Sequence, residues 1–406
     1  MKVWKEKCKM KKVAYTGKWL FTGDEEQSII ENFVMMTEGD YILWIKNKDE
    51  AEEDSEAEYV ELEKGYVVPG FIDAHVHLFC SAGDKIRRMS DGQYTAHLIC
   101  QGAMHARQLL KSGIVACRDL GAYKGYSLGI RDSIDRGEIP GPKIIACGHA
   151  ISTTGGHGFH ISYEADGVDE VRKTVRRVIK EGADVVKMMV SGGVNSPGPE
   201  PGPCEFTKEE ICACVETAHA WGRKVAVHTH GNTAIRNCVE AGVDSIEHGV
   251  FMTEDIMEMM AERGTYLVPT LCAPYYAVNE GMKQEPDNPD HAKSREVLQR
   301  HRDMLKKCAE KGVPIAFGTD AGSPFDPYDE SSYEMVLMTM AGLTPCQALL
   351  AATRGSADLL GISDEYGSLE EGKRASFVCL PKNPLEDIEC VAQEKDVYLN
   401  SKKVVF

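Results

Sequence analysis

The chain has 406 residues, with 46 Lys+Arg against 63 Asp+Glu and a formal net charge of −17. An apolar fraction of 43% and a charged fraction of 27% are ordinary for a soluble globular protein and exclude disorder as the main state. The acidic balance excludes nucleic acid and anionic membranes as main partners, since polyanions repel it.

At roughly 150 residues per domain this length suggests two to three units, although barrel folds often run past about 250 residues as one. The 14 Cys include no C-x-x-C pair and are too dilute for a disulfide scaffold, which points to a reducing compartment. The closest pair, Cys212 and Cys214, falls in an amphipathic helical pattern where i and i+2 do not face each other. The Lys-rich start, Lys2 to Lys12, leads into no apolar signal core, and no stretch approaches the ~18 apolar residues of a membrane span. The expectation is a cytoplasmic protein with no membrane partner. Self-association into a homo-oligomer is compatible with this composition but not specified by it.

In chain order, residues 1–66 read as short strands joined by Gly turns, in KKVAYTGKWLFTG and NFVMMTEGDYILWIK. The run Asp49–Glu63 holds nine acidic residues in fifteen and reads as a solvated turn between edge strands. From Val67 the pattern becomes apolar strand, polar loop, amphipathic helix, repeated. Strands are expected at VVPGFIDA, GIVACRDL, KIIACG, ADVVKMMV, KVAVH, DSIEH, TYLVPTL and PIAFGTD, with helices between most of them ending in Gly. Eight such strands over residues 67–365 match a (β/α)8 TIM-like barrel. The alternative, a doubly wound open sheet, lacks its Gly-rich turn after the first strand. Residues 366–406 turn strand-like again, so 1–66 and 366–406 are expected to pair into one small β-sandwich domain.

The active site of such a barrel lies at the C-terminal ends of its strands. Those ends carry His75 and His77 in DAHVHL, Lys187 in VVKMMV, His228 and His230 in VAVHTHG, His248 in SIEHG and Asp320 in FGTDAG. His residues two apart on a strand share a face. Imidazole and carboxylate together suit zinc or a similar divalent ion. Any one His at a strand end is more often a hydrogen-bonded structural residue, but five with an Asp on successive strands are hard to place as accidents. Lys187 is the anomaly, because a buried ammonium beside metal ions would be repelled unless neutralised or modified.

This constellation resembles the amidohydrolase superfamily, with PGFIDAHVH and GTDAG close to its first and last signatures. SLEEGKRASFVCL resembles a further signature, but Ala375-Ser376-Phe377-Val378 stands where the familiar form reads Ala-Asp-Leu-Val. Within the superfamily, GIVACRDLG, TTGGHGFH, VVKMMVSGGV and KVAVHTHG are similar to a narrower group. That group holds Xaa-Pro dipeptidase-like and Lys/Arg-Xaa carboxypeptidase-like enzymes, ochratoxin-type amidases and imidazolonepropionase-related proteins. The resemblance implies two divalent metal ions, zinc foremost, and a CO2-derived carbamate on Lys187 bridging them. It places His75, His77 and Asp320 on the first ion and His228 and His248 on the second, with Asp320 as catalytic base and then acid. His230 is either a third imidazole ligand or, as favoured here, a substrate contact. Further expected substrate contacts are His157 and, less so, His160 in TTGGHGFH, Arg118 in CRDLG, and Tyr275 with Tyr276 after the seventh strand. The alternative for Arg118 is a salt bridge to a barrel-end carboxylate. The Gly/Pro-rich stretch SGGVNSPGPEPGPCEFT is expected to form a loop over the mouth, with the character of a lid.

The implied activity is metal-dependent hydrolysis of an amide or peptide C–N bond, in dipeptides or N-acyl amino acids. A hydrolase or deaminase of a cyclic amide or heterocycle is the alternative. A catalytically inactive barrel scaffold is a third reading, disfavoured because the whole ligand set is present.

Overall fold

The computed structural model describes residues 11–80, 95–193, 202–284 and 290–406. The chain begins with strands β1 (Lys12–Phe21), β2 (Ile29–Glu38), β3 (Tyr41–Asn47), β4 (Glu58–Glu61) and β5 (Tyr66–Pro69). It continues through β6 (Phe71–Val76), β7 (Ile114–Asp119), β8 (Lys143–Ala146), β9 (Ala150–Ser152), β10 (Ser162–Glu164), β11 (Val185–Met189), β12 (Lys224–Thr229), β13 (Ser245–His248) and β14 (Tyr266–Val268). It ends with β15 (Phe377–Leu380), β16 (Asp396–Leu399) and β17 (Lys402–Lys403).

Both chain ends enter one sheet of order β17-β16-β15-β5-β1-β2-β3, with β4 paired to β1. Its seam between the two ends is antiparallel, Phe377 opposite Pro69 and Val378 opposite Val68. Tyr15, Leu20, Phe33, Met35, Val67, Phe377 and Tyr398 are buried on it as a separate apolar cluster. Residues 67–69, which VVPGFIDA assigned to a barrel strand, belong with Tyr66 to this end sheet. The chain changes sheets at Gly70, whose N–H bonds to Ser376 O at 2.9 Å.

Strands β6 to β14 pair only in parallel, in the orders β6-β7-β8 and β10-β9-β11-β12-β13-β14. Strands β6, β7 and β11 are buried at every residue, as expected of parallel strands covered on both faces. Helices α1 (Thr95–Lys111), α2 (Tyr126–Asp135), α3 (Val168–Lys180), α4 (Lys208–Ala220), α5 (Asn232–Ala241) and α6 (Glu254–Arg263) alternate with them. Thr207 and Glu210 form a capping box that starts α4. The expected glycine stops are found at Gly242 and Gly264, where left-handed φ values of 87° and 69° end α5 and α6.

The segment PIAFGTD is hydrogen-bonded on both sides but forms no regular strand. Leu267 N bonds to Pro314 O and Ala316 N to Leu267 O on one side (2.9 and 3.0 Å). Ala74 N bonds to Phe317 O and Asp320 N to His75 O on the other (both 2.8 Å). The interruption has two causes: Pro314 has no N–H to give, and Thr319 N donates to the Asp73 side chain at 3.2 Å instead of to a ladder. No helix among the described residues is long and apolar enough to cross a membrane.

Gly70 is required by close approach, because a Cβ there would overlap both methyl carbons of Val115, which is buried. Gly70→Ala is therefore expected to destabilise the fold by about 1–3 kcal/mol through overpacking. A thermal midpoint equal to that of the parent protein would contradict this reading of the junction.

Candidate metal centre

Five imidazoles and one carboxylate meet where β6, β12, β13 and the Pro314–Ala321 segment end. His75 lies in β6 and His77 just beyond it, His228 lies in β12 and His230 just beyond it, and His248 is the last residue of β13. Ring centroids are 5.3 Å apart for His75–His77, 5.1 Å for His75–His248, 4.5 Å for His228–His248 and 4.8 Å for His228–His230. His75, His248 and Asp320 offer ligand atoms that all lie within 4.8 Å of one another. His77 approaches the same carboxylate, its Nε2 3.4 Å from Asp320 Oδ1, and His75 Nε2 is 3.3 Å from that oxygen. His248 thus joins His75 and Asp320, and its ring also stands next to that of His228.

The far side of each ring decides which nitrogen carries the proton. His75 Nδ1 faces Glu247 Oε2 at 2.8 Å, and His77 Nδ1 faces Gly121 O at 2.9 Å. Both partners accept only, so both rings donate from Nδ1. His248 Nδ1 faces Thr270 Oγ1 at 2.6 Å, and Thr270 donates its own proton to Pro269 O at 2.6 Å. Thr270 must therefore accept from His248, so each of the three rings, when neutral, turns an Nε2 lone pair inward. With no ion beside it, Asp320 raises the His77 ring against burial. Lone pairs converging on a carboxylate oxygen suit a divalent cation and little else. Buried and without a hydrogen-bond partner among the described residues, His228 Nε2 and Lys187 Nζ fit the same purpose.

Electrostatics agree. Burial pushes His228, His230 and His248 well below the ordinary imidazole value, which keeps them neutral, the form that binds metal. Burial opposes the charge of Asp320, but His75 and then His77 outweigh it and hold the carboxyl well below its usual range. Lys187 is 1% exposed, and burial, aided by the charge of Arg118, brings its amine down to about 8 against the pull of Glu247. A neutral amine is the form able to add CO2.

The expected substrate contacts fare unequally. His157 stacks on His228 with centroids 4.2 Å apart, and its backbone N–H is held by Glu205 Oε2 at 3.0 Å. Burial lowers its ring to about 4. His230 stacks on His248 at 5.1 Å, inside the cluster. His160 stands edge-on to exposed Phe159, with centroids 5.8 Å apart.

Arg118 is a correction. The carboxylate it meets belongs to the chain itself, Glu247 Oε1 at 2.8 Å, and its remaining bonds go to Ala74 O (2.6 Å) and Ser245 Oγ (3.2 Å). At 1% exposure it has no face left for a substrate. Tyr275 donates to the Tyr333 hydroxyl at 3.4 Å, and Tyr276 to Glu330 at 2.6 Å, so both hydroxyls are engaged within the chain. Of the expected lid, residues 194–201 lie outside the described residues. Its base is tied by an antiparallel bridge of Ser191 with Cys204.

Sequence reasoning passed over Glu247, Thr270 and Glu205. Only Glu247 left a signal, an acidic residue inside the otherwise apolar strand SIEH. Burial opposes its charge, yet Arg118 and then His75 hold its carboxyl down to about 2.

The lowered Lys187 pKa makes a signed prediction. Between about 8 in the folded chain and its ordinary 10.5 in the unfolded one, the unfolded state holds the extra proton, so stability rises with pH across that window. In metal-free, bicarbonate-free buffer, the stability of the parent protein should climb relative to Lys187→Met from pH 8 to 10.5, measured by urea unfolding. Parallel curves would show that the amine is not desolvated.

The Amidohydrolase family model matches residues 66–404. The ochratoxinase of Aspergillus niger is 32% identical over 364 residues, spanning 82% of this chain and 73% of that protein. An imidazolonepropionase of Acinetobacter baumannii is 24% identical over 417 residues, spanning 94% of this chain and 96% of that protein. Among solved structures, a Xaa-Pro dipeptidase with methionine bound in its active site superposes with a TM-score of 0.88 at 33% identity, covering 97% of this chain and 99% of that one. An α/β fold of the TIM-barrel type, hydrolase-named relatives and a His/Asp cluster of metal-binding character therefore coincide in one molecule. The chain belongs to the amidohydrolase family and is a hydrolytic enzyme acting on carbon–nitrogen bonds.

Proposed function

We propose that this chain is a metal-dependent dipeptidase or carboxypeptidase acting on dipeptides or N-acyl amino acids. In this reading residues 67–365 form the (β/α)8 barrel, residues 1–66 with 366–406 form the small β domain, and the protein works in the cytoplasm. The observation that carries the chemistry is the meeting of His75, His77 and His248 at Asp320, each ring with its Nδ1 turned to an acceptor. The likeness to a Xaa-Pro dipeptidase over nearly the whole of both chains supports the substrate class.

His75, His77, His248, His228 and Asp320 would hold two divalent ions, zinc foremost, with a carbamate on Lys187 between them. Ions held there supply Lewis-acid polarisation of the scissile carbonyl and a water acidified towards neutrality. The remaining work falls to the chain's own side chains. Asp320 Oδ2 accepts from Ser323 Oγ at 2.8 Å, which fixes the carboxylate plane, while Oδ1 faces the pocket. Asp320 takes the proton of the attacking water. As water oxygen bonds to the carbonyl carbon and the C–N bond breaks, it passes that proton to the departing amine. In this reading His230 and His157, packed against the ligand rings, would meet the substrate.

Asp320→Asn is expected to lower kcat by roughly 10²- to 10⁴-fold, the contribution of a general acid–base group. Elemental analysis should show that much of the bound metal remains. Turnover near that of the parent protein would remove Asp320 from this role. A panel of Xaa-Xaa dipeptides, N-acyl amino acids and cyclic amides, assayed with zinc and bicarbonate, tests the substrate class. Hydrolysis of cyclic amides alone would instead favour the chemistry named for the imidazolonepropionase relative.

A further inference from the structure

We propose that Glu247, anchored by Arg118 and Ser245, is a positioning residue that keeps the His75 proton on Nδ1 and thereby presents Nε2 to an ion at Asp320. The proposal rests on the metal-dependent reading above and assigns a residue that the reading does not use.

Three donors converge on this one carboxylate. Oε1 accepts from Arg118 Nη2 at 2.8 Å and from Ser245 Oγ at 2.5 Å, and Oε2 faces His75 Nδ1 at 2.8 Å. Arg118 also donates from Nε to the carbonyl of Ala74 at 2.6 Å, so the pair grips both the His75 ring and the strand that carries it. Glu247 and Ser245 are fully buried, and Arg118 and His75 are 1% exposed. A buried ion pair of this kind is often replaceable by apolar side chains without loss of stability. Fold stability alone therefore gives little reason for it, whereas a fixed imidazole tautomer does.

The substitution Glu247→Gln separates geometry from charge. A glutamine has one acceptor atom, and two donors, Arg118 and Ser245, already claim that position. Its amide N–H groups would then face His75 Nδ1, which could only accept. The ring proton would move to Nε2 and occupy the lone pair meant for metal.

The test uses the full chain loaded with zinc. Zinc affinity is read by competition with a chromophoric chelator, and histidine ring nitrogens are read by 15N shifts in the metal-free protein. Glu247→Gln should bind zinc about 10- to 100-fold more weakly, the usual effect of losing an outer partner of a ligand. It should also move the His75 proton signal from Nδ1 to Nε2. Because the single substitution leaves the Arg118 charge without a counter-charge and threatens folding, the double variant Arg118→Met with Glu247→Met removes both charges together. It too should lose about tenfold or more in zinc affinity while keeping its circular dichroism. Unchanged zinc affinity in either folded variant overturns this inference and leaves the metal-dependent reading intact. A parent protein that binds no zinc overturns both.

Discussion

The hydrogen bonds made by Nδ1 of His75, His77 and His248 constrain everything else in the site. Each holds a proton on the outer nitrogen, and the acceptors are a carboxylate, a backbone carbonyl and a hydroxyl whose proton is already committed. The inner nitrogens are left as lone pairs in a pocket that burial makes hostile to positive charge. The same burial keeps His228, His230 and His248 neutral and brings the Lys187 amine down. Arg118 is the exception, and Glu247 neutralises it at 2.8 Å. What remains is an ionised Asp320 whose hydrogen bond and charge raise the His77 ring against burial, and a divalent cation that replaces such protons gains far more there than it would in water.

Backbone strain is present at the same residues. His248 and Asp320 both adopt left-handed φ values, 71° and 67°, and Thr270, which orients His248, has φ of 56°. Such conformations cost on the order of 1–3 kcal/mol each for non-glycine residues and persist only where surrounding bonds hold them. The bonds are present. His301 Nε2 reaches His248 O at 3.1 Å, Asp320 N donates to His75 O at 2.8 Å, and Ser323 N donates to Asp320 O at 3.0 Å. These turns carry the chain out of the parallel ladder at the point where each side chain must swing into the pocket. Irregular backbone along PIAFGTD follows from the same demand, because Asp73 ties down Thr319 next to Asp320.

Much of the site was legible because chemistry and periodicity coincide there. His-x-His on an apolar strand must put both rings on one face, and a Lys inside VVKMMV has no solvent to reach. Arg118 stayed open between a substrate contact and a salt bridge because residue type names the charge but not its partner. Glu247 is 129 residues away in sequence, and only the closing of parallel strands brings the two together. Thr270 and Glu205 were invisible for a related reason, since polar residues at loop entries carry no periodic signal. Helix ends at Gly242 and Gly264 were plain, because left-handed caps leave a residue-type signature. The switch between sheets at Gly70 was not, because VVPGFIDA is apolar throughout and the break depends on pairing with Ser376, more than 300 residues later.

The most direct measurement is X-ray absorption at the zinc edge, with elemental analysis, on the protein purified with zinc and bicarbonate. Two ions per chain should appear, each with nitrogen and oxygen neighbours at about 2.0–2.2 Å and no sulfur shell. Fewer than one ion per chain, or a sulfur neighbour near 2.3 Å, would mean that the inward lone pairs of His75, His77 and His248 do not form the metal centre.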